Sequence, residues 1–464
     1  MPQPNQKAVM ALLFVGVLMG ALDLAIIGPA LPAIQSEFGL DNRNLSWLFN
    51  VYVLAQLIGT PLFAKGSDKY GRRNVYMICV TGFGIGSLLL VIASNYETLL
   101  LGRAVQGLGA SGIFPVAAAV IGDTFPKEKQ GGALGLIGAV FGLAFLIGPV
   151  LGGILLRYSW QWLFMINLPI AIGLLVAAWR LLPSGGSEEQ LPFDWLGGTV
   201  LTTLLFGFAI GVTNLDTANF STSLASLWVW PFLLVGIILL PLFWRTEKSA
   251  ADPIVRPSFF DARQIKFVMI VAAGLGSVEC AQVFFPALGV AALGVTESMA
   301  AWLMLPGVFV MMIVSPLAGK MVDAVGPTRV LQGAVVVLLI GLLVYSLAEI
   351  TYVTFIGGGM IVGVGVAAML GAPLRYIVLE EARPEDRAST QGLLNIFLAI
   401  GQLSGAAIVG SVATSAGGGT DGYQTSFAVL AAVTVAIGIV ALSMKYMPPG
   451  SSAPVSEDTE TVST

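Results

Sequence analysis

The sequence predicts an all-α integral membrane protein of fourteen transmembrane helices: two six-helix halves with two extra helices between them. Three features of the chain point to it. Of its 464 residues 56% are hydrophobic and 10% charged, against roughly 25% charged in soluble domains, and the mean hydropathy is +0.88. Charge-poor runs long enough to cross a hydrocarbon core, about 20 residues each, recur along the whole chain. The Lys and Arg residues between those runs fall almost entirely on one side of the membrane, as the positive-inside rule requires.

The runs occupy 8–22 (continuing past Asp23 to about Ile34), 44–64, 74–96, 104–122, 130–156, 158–179, 195–215, 217–244, 267–296 with Glu279 inside it, 298–319, 330–348, 350–374, 388–420 and 422–444. With the N-terminus in the cytoplasm, nineteen of the 22 Lys and Arg lie on the cytoplasmic side; Arg43 and Arg157 lie opposite, and Arg103 falls within a span. One missed span would put every later cation on the wrong side. Both termini are therefore expected in the cytoplasm and the chain in the cell (inner or plasma) membrane. The first run is too long for a signal-peptide core and lacks a clear cleavage site after it, so it is span 1 of the protein. The net charge of −4 says little about orientation, which follows Lys and Arg, and nucleic acid is not an expected partner.

Longer polar connections at 180–195 and 245–266 bracket spans 7 and 8. The expected divisions are a first half at 1–182, two inserted helices with flanking cytoplasmic loops at 183–264, a second half at 265–446, and a polar, acidic tail at 447–464, whose composition favours disorder. A short repeat supports the two halves: GSDKYGRR (66–73) follows span 2 and GKMVDAVGPTR (319–329) follows span 10, with Asp68 to Gly71 spaced as Asp323 to Gly326. Repeated halves with a site between them near mid-membrane characterise secondary transporters. Spans 7 and 8 have no counterpart in the repeat; their charges, Asp194 and Asp216, stand at the edges, and filling space between the halves is the one role they suggest.

Other chemistries lack their residues. Gly319-Lys320 is followed by Met321, where a phosphate loop needs Ser or Thr. There is no His, and the two cysteines, Cys79 and Cys280, fall in separate spans, where a buried small apolar role is expected. Neither an enzyme, a metal site nor a cofactor is expected, and lone acids in repeated halves fit alternating access better than a pore.

The intramembrane charges define the candidate site. Asp23 lies about 15 residues into span 1, roughly 22 Å along the helix, while Arg103 lies about 9 Å in from the opposite end of span 4. These depths allow a pair. It would make a switchable acid, ionised beside its cation and neutral in a dry site without it, or else simply hold two helices together. Glu279 is about 13 residues into span 9, roughly 20 Å deep, on the helix that corresponds to span 1; it is a coupling or substrate-recognition acid, or else a structural hydrogen-bond partner. Gln106, Gln282, Asn395 and Gln402 are candidate cavity-lining residues or helix-to-helix bonds. Arg375 either snorkels to headgroups or exchanges partners with an acid in the cavity.

Five local motifs carry a resemblance. They are LDLAIIGPALP (22–32), GSDKYGRRN (66–74), LLLGRAVQGLGA (99–110), GLAFLIGPVLGG (142–153) and SWQWLFMINLPI (159–170). Together they resemble the major facilitator superfamily and, within it, the fourteen-helix drug:proton antiporters. The resemblance implies that Asp68, Gly71, Arg72 and Arg73 link helix ends and steady the outward-facing state, although Ala64 and Lys69 depart from the family's glycine and arginine. It implies that Gly148, Pro149, Gly152 and Gly153 form the segment that marks exporters, with Ala144 where glycine is usual. The implied function is proton-coupled export of amphiphilic or lipophilic compounds by a monomer, its partners being cargo, protons and membrane lipids. Lipid export by the same fold is the second reading and uptake symport the third.

Overall fold

The computed structural model describes residues 5–40, 42–183, 194–215, 220–295 and 297–448, and among these all regular structure is helical. Asp216 and residues 449–464 of the expected tail lie outside the described residues. The first half comprises α1 (Gln6–Phe38), α2 (Asn42–Tyr70), α3 (Arg72–Val91), α4 (Tyr96–Thr124), α5 (Lys127–Leu155), α6 (Gln161–Met165) and α7 (Asn167–Leu181). Between the halves stand α8 (Trp195–Thr213), α9 (Phe220–Leu224) and α10 (Trp230–Ser249). The second half comprises α11 (Arg263–Cys280), α12 (Phe285–Leu293), α13 (Glu297–Val325), α14 (Pro327–Leu347), α15 (Tyr352–Gly371), α16 (Pro373–Glu381), α17 (Arg387–Ser415) and α18 (Gly419–Leu442).

Among the described residues thirteen helical stretches are long and apolar enough to cross a membrane, and the bent pair α11 and α12 makes a fourteenth. Polar caps fix several starts: the Asn95 side chain accepts from the Thr98 amide at 2.8 Å, and Thr351 and Thr354 close a reciprocal capping box, each satisfying amides that a helix start leaves without partners.

Prolines explain where the continuous spans expected from the sequence break. The ninth span bends by 41° between α11 and α12, just after Glu279, because Pro286 has no amide to donate and its ring crowds the preceding turn. Pro373 likewise interrupts the helix between α15 and α16, although together they still form one continuous stretch, Tyr352–Glu381. The thirteenth span stops at Ser415, five residues short of its expected end at 420, before Gly417, Gly418 and Gly419, all at positive φ. The eighth span is displaced: its helix begins at Trp230 instead of 217 and carries Arg245, Glu247 and Lys248 within it. Glu247, in the last turn of that helix, is 1% exposed, and it stands beside Asp194 at the start of α8, so the inserted pair holds a buried acid at its edge.

Helices α1 to α7 pack mainly on one another, as do α11 to α18, and α8 pairs with α10 while touching α2 and α17. The halves meet where α5 lies on α13 and where α2 and α4 lie on α17. Glycines permit the first contact: a Cβ at Gly135 would stand 2.6 Å from the Ser315 carbonyl oxygen and 2.9 Å from Gly319 Cα. Such small-residue seams let membrane helices approach backbone to backbone.

The repeat seen in the sequence has matching geometry. Gly71 and Gly326 cap α3 and α14 at φ 93° and 89° with extended ψ, a region essentially restricted to glycine that costs other residues about 1–3 kcal/mol. Gly71→Ala is therefore expected to lower stability by about 1–3 kcal/mol in thermal unfolding of the purified protein, and an unchanged midpoint would contradict that strain.

Candidate functional site

The charges gather in three places. The first lies wholly within the first half. Asp23 of α1 and Arg103 of α4 form an ion pair at 2.6 Å with both side chains 0% exposed. Gln106, one turn along α4, accepts from Arg103 Nη1 at 2.6 Å and donates to Asp23 Oδ1 at 2.7 Å, closing a three-membered ring of bonds. The same amide donates to Ser87 Oγ at 2.9 Å, which also accepts from Asn167 Nδ2 at 3.3 Å. The Arg103 Nε donates to the Leu48 carbonyl at 2.9 Å and the guanidinium lies 4.2 Å from the centre of the Tyr52 ring.

Close helix packing sets this ring. A Cβ at Gly86 would come within 2.6 Å of Gln106 Cα, so glycine on α3 lets α4 press in and bring Gln106 to Ser87. Arg103 Nη2, Asn167 Oδ1 and the Tyr52 hydroxyl are buried without partners. A buried charge with unused hydrogen-bonding capacity is held at a cost, and the cluster has free donors and acceptors ready for a different arrangement. Gln106, expected to line a cavity, is 0% exposed and belongs to this ring. Nothing in the sequence marks Ser87 or Tyr52 as a site residue, whereas Asn167 stands within the SWQWLFMINLPI motif.

The second place is in the second half. Glu279, on the last turn of α11 beside the bend, accepts from Gln402 Nε2 at 2.9 Å. Arg375 of α16 is 7% exposed and donates to Gln391 Oε1 at 3.3 Å and Asn395 Oδ1 at 3.2 Å. Its guanidinium lies 3.9 Å from the centre of the Phe114 ring on α4, so it reaches across to the first half and does not snorkel. Arg375 interacts electrostatically with Glu279 without a direct ion pair between these two described residues. Gln282 faces a small cavity with Met304, Met311 and Tyr345. The arrangement offers a cation, an acid and amides beside aromatic and sulfur-containing surface, the mix that suits amphiphilic ligands.

The third place joins the halves at the cation-rich end. Asp68 on α2 accepts from the amides of Ala388 and Ser389 at 3.1 and 2.7 Å, where the first turn of α17 favours an anion. Asp323 on α13 accepts from the amides of Gly131 and Gly132 on α5, each at 2.8 Å. Each half thus sends the aspartate of its repeated motif to helix amides of the other. Arg72 pairs with Asp68 and with Asp123 and donates to the Pro384 carbonyl at 3.1 Å, while Arg387 meets the same Asp123 at 2.8 Å and Lys127 meets Glu380 at 3.0 Å. Arg73 stands apart, its guanidinium 5.7 Å from the centre of the Trp179 ring.

In the exporter-like segment, a Cβ at Gly148 would fall 2.6 Å from Ala25 Cβ on α1, two residues beyond Asp23, and Gly152 is buried on the same face region of α5. The surroundings of Pro149 and Gly153 lie outside the described residues.

Comparison with known proteins agrees with this architecture. The family model described as Major Facilitator Superfamily matches residues 13–243 and 267–463. An uncharacterized MFS-type transporter of Bacillus subtilis strain 168, YfiU, is 33% identical over 405 residues, 86% of this chain and 78% of that protein. Multidrug resistance protein 3 of the same organism is 28% identical over 429 residues, 89% of this chain and 80% of the relative. The crystal structure of the human organic anion transporter MFSD10 (TETRAN) matches with a TM-score of 0.72 over 95% of this chain and 100% of that chain at 16% identity, a likeness of fold.

Proposed function

Because this chain belongs to the major facilitator superfamily, a family of multi-pass membrane transporters and not enzymes, we propose that it is a proton-coupled antiporter exporting amphiphilic or lipophilic compounds by alternating access, of the fourteen-helix drug:proton type. The names of relatives such as Multidrug resistance protein 3 and Multidrug transporter protein MdtP support the cargo class. The observation that carries the coupling is the Asp23–Arg103 pair, 0% exposed on both sides. A fully buried acid is worth keeping where its charge has to change, because intramembrane ionisable residues are costly.

In this reading the protein acts as a monomer in the cell membrane with both termini in the cytoplasm, so the cation-rich end is cytoplasmic. The aspartates of the repeated motifs and Arg72 hold that end closed in one end state. A proton on Asp23 cancels the charge that Arg103 and Gln106 share, and Arg103 then turns to other partners, which weakens the packing of α1 on α4. Glu279 performs the corresponding exchange in the second half, with Arg375, Gln282, Asn395 and Gln402 contacting cargo at the interface of 1–182 with 265–446.

The test is purified protein in liposomes that hold a pH-sensitive dye under an imposed proton gradient, challenged with lipophilic cations, neutral drugs and labelled lipids. At least one amphiphilic compound is expected to drive proton movement. Transfer of labelled lipid with no compound-driven proton movement would replace this reading by lipid export.

A further inference from the structure

We propose that the segment between α10 and α11, residues 250–262, is a latch that holds the two halves together at the cation-rich end, and that this is what the inserted helices contribute to transport. The inference rests on the alternating-access reading.

A continuous run of charges crosses from one half to the other through this segment. Lys65 of α2 pairs with Asp252 at 2.5 Å; Asp252 meets Arg256 at 3.5 Å; Arg256 pairs with Asp386, just before α17, at 3.1 Å. The side chains of Lys65, Asp252 and Asp386 are 4%, 9% and 3% exposed and that of Arg256 25%, so three of the four charges are shielded from the screening that makes surface pairs nearly worthless. Breaking a buried pair leaves a charge without compensation, which is far more costly than the pair is favourable.

The inserted helices hold the latch in place. Glu247 of α10 accepts from the Val255 amide at 2.9 Å, and Trp244 meets Phe260 edge-on at 5.6 Å. On the other side Ile254 fills a notch in α8, where a Cβ on Gly198 would come 2.9 Å from its Cδ1 and 3.2 Å from Leu62 Cδ2 of α2. Val255, Ile254 and Phe259 are all buried. A connector needed merely for length would not bury three apolar side chains and a carboxylate, Asp252. The path also lies beside the Asp68 to α17 contact, since Asp386 precedes the Ala388 and Ser389 amides that Asp68 holds. Latch and motif therefore act on the same helix start.

The prediction is read as a distance between the halves without cargo or proton gradient, so it can fail while export holds. In a background carrying Cys79→Ala and Cys280→Ala, nitroxide labels at the exposed positions Lys129 on α5 and Met321 on α13 report the separation by pulsed electron resonance. Asp252→Asn and Arg256→Gln are expected to raise the long-distance population by about threefold or more. The fourfold charge exchange Lys65→Asp, Asp252→Lys, Arg256→Asp and Asp386→Lys, which inverts every link of the run, is expected to return much of the short-distance population, and it keeps the test decisive if the single variants fold poorly. Distributions like the parent's in both single variants would overturn the latch, as would a well-folded charge exchange that stays as open as Asp252→Asn.

Discussion

Arg103→Met is expected to destabilise the protein by about 3–5 kcal/mol, the cost of leaving one member of a buried ion pair without its partner. The side chains of Asp23 and Arg103 are 0% exposed, so no water replaces the lost cation, and the Leu48 carbonyl loses its 2.9 Å donor in the same substitution. Thermal unfolding in detergent measures the effect. The double variant Asp23→Leu with Arg103→Met is expected to regain most of the loss, since a buried pair replaced by apolar groups of similar size is often near neutral, yet to transport nothing. Arg103→Lys is expected to fall between, because an ammonium cannot reach Asp23, Gln106 and the Leu48 carbonyl with one planar fork. A single variant as stable as the parent would remove the claim that the pair is closed and dry.

The second large effect is expected at the seam between the halves. A Cβ at Gly131 would stand 2.5 Å from Asp323 Oδ1 and 2.7 Å from the Gly319 carbonyl oxygen, both part of the opposite half. Gly131→Leu cannot keep these contacts, so the cation-rich end is expected to stay open and export to fall to background, while the protein still inserts and folds because α5 faces its own half on other sides. Labelling of a cysteine introduced at Val322, which is buried in this seam, would rise with the opening. Parent-level transport by Gly131→Leu would show that this closure is not part of the cycle.

Much of this was legible in the sequence because a membrane helix is a ruler. A fixed rise of 1.5 Å per residue put Asp23 and Arg103 at compatible depths, and the observed 2.6 Å pair follows from that. The repeated Asp-to-Gly spacing likewise led to two loops with glycines at nearly equal φ, 93° and 89°. What the sequence hid needed rotation about helix axes as well as depth. Ser87 and Asn167 are ordinary polar residues in apolar runs; the packing at Gly86 brings Ser87 to Gln106, and Asn167 reaches Ser87 from α7. The Lys65–Asp252–Arg256–Asp386 path joins positions far apart in the chain through a connector with no periodicity to interpret. The bend beside Glu279 did leave a signal, Pro286, which an unbroken run of apolar residues masked.

The central claim is that Asp23 carries the coupled proton. It is tested most directly in proteoliposomes with an internal pH dye, once a driving compound is in hand, by comparing Asp23→Asn with the parent in two modes: compound-driven proton movement, and exchange of labelled for unlabelled compound without a proton gradient. Loss of proton movement with exchange retained is the predicted result, because the amide stands in for the protonated acid, neutral beside Arg103, but has no proton to exchange. Proton movement at the parent's rate in Asp23→Asn would contradict it.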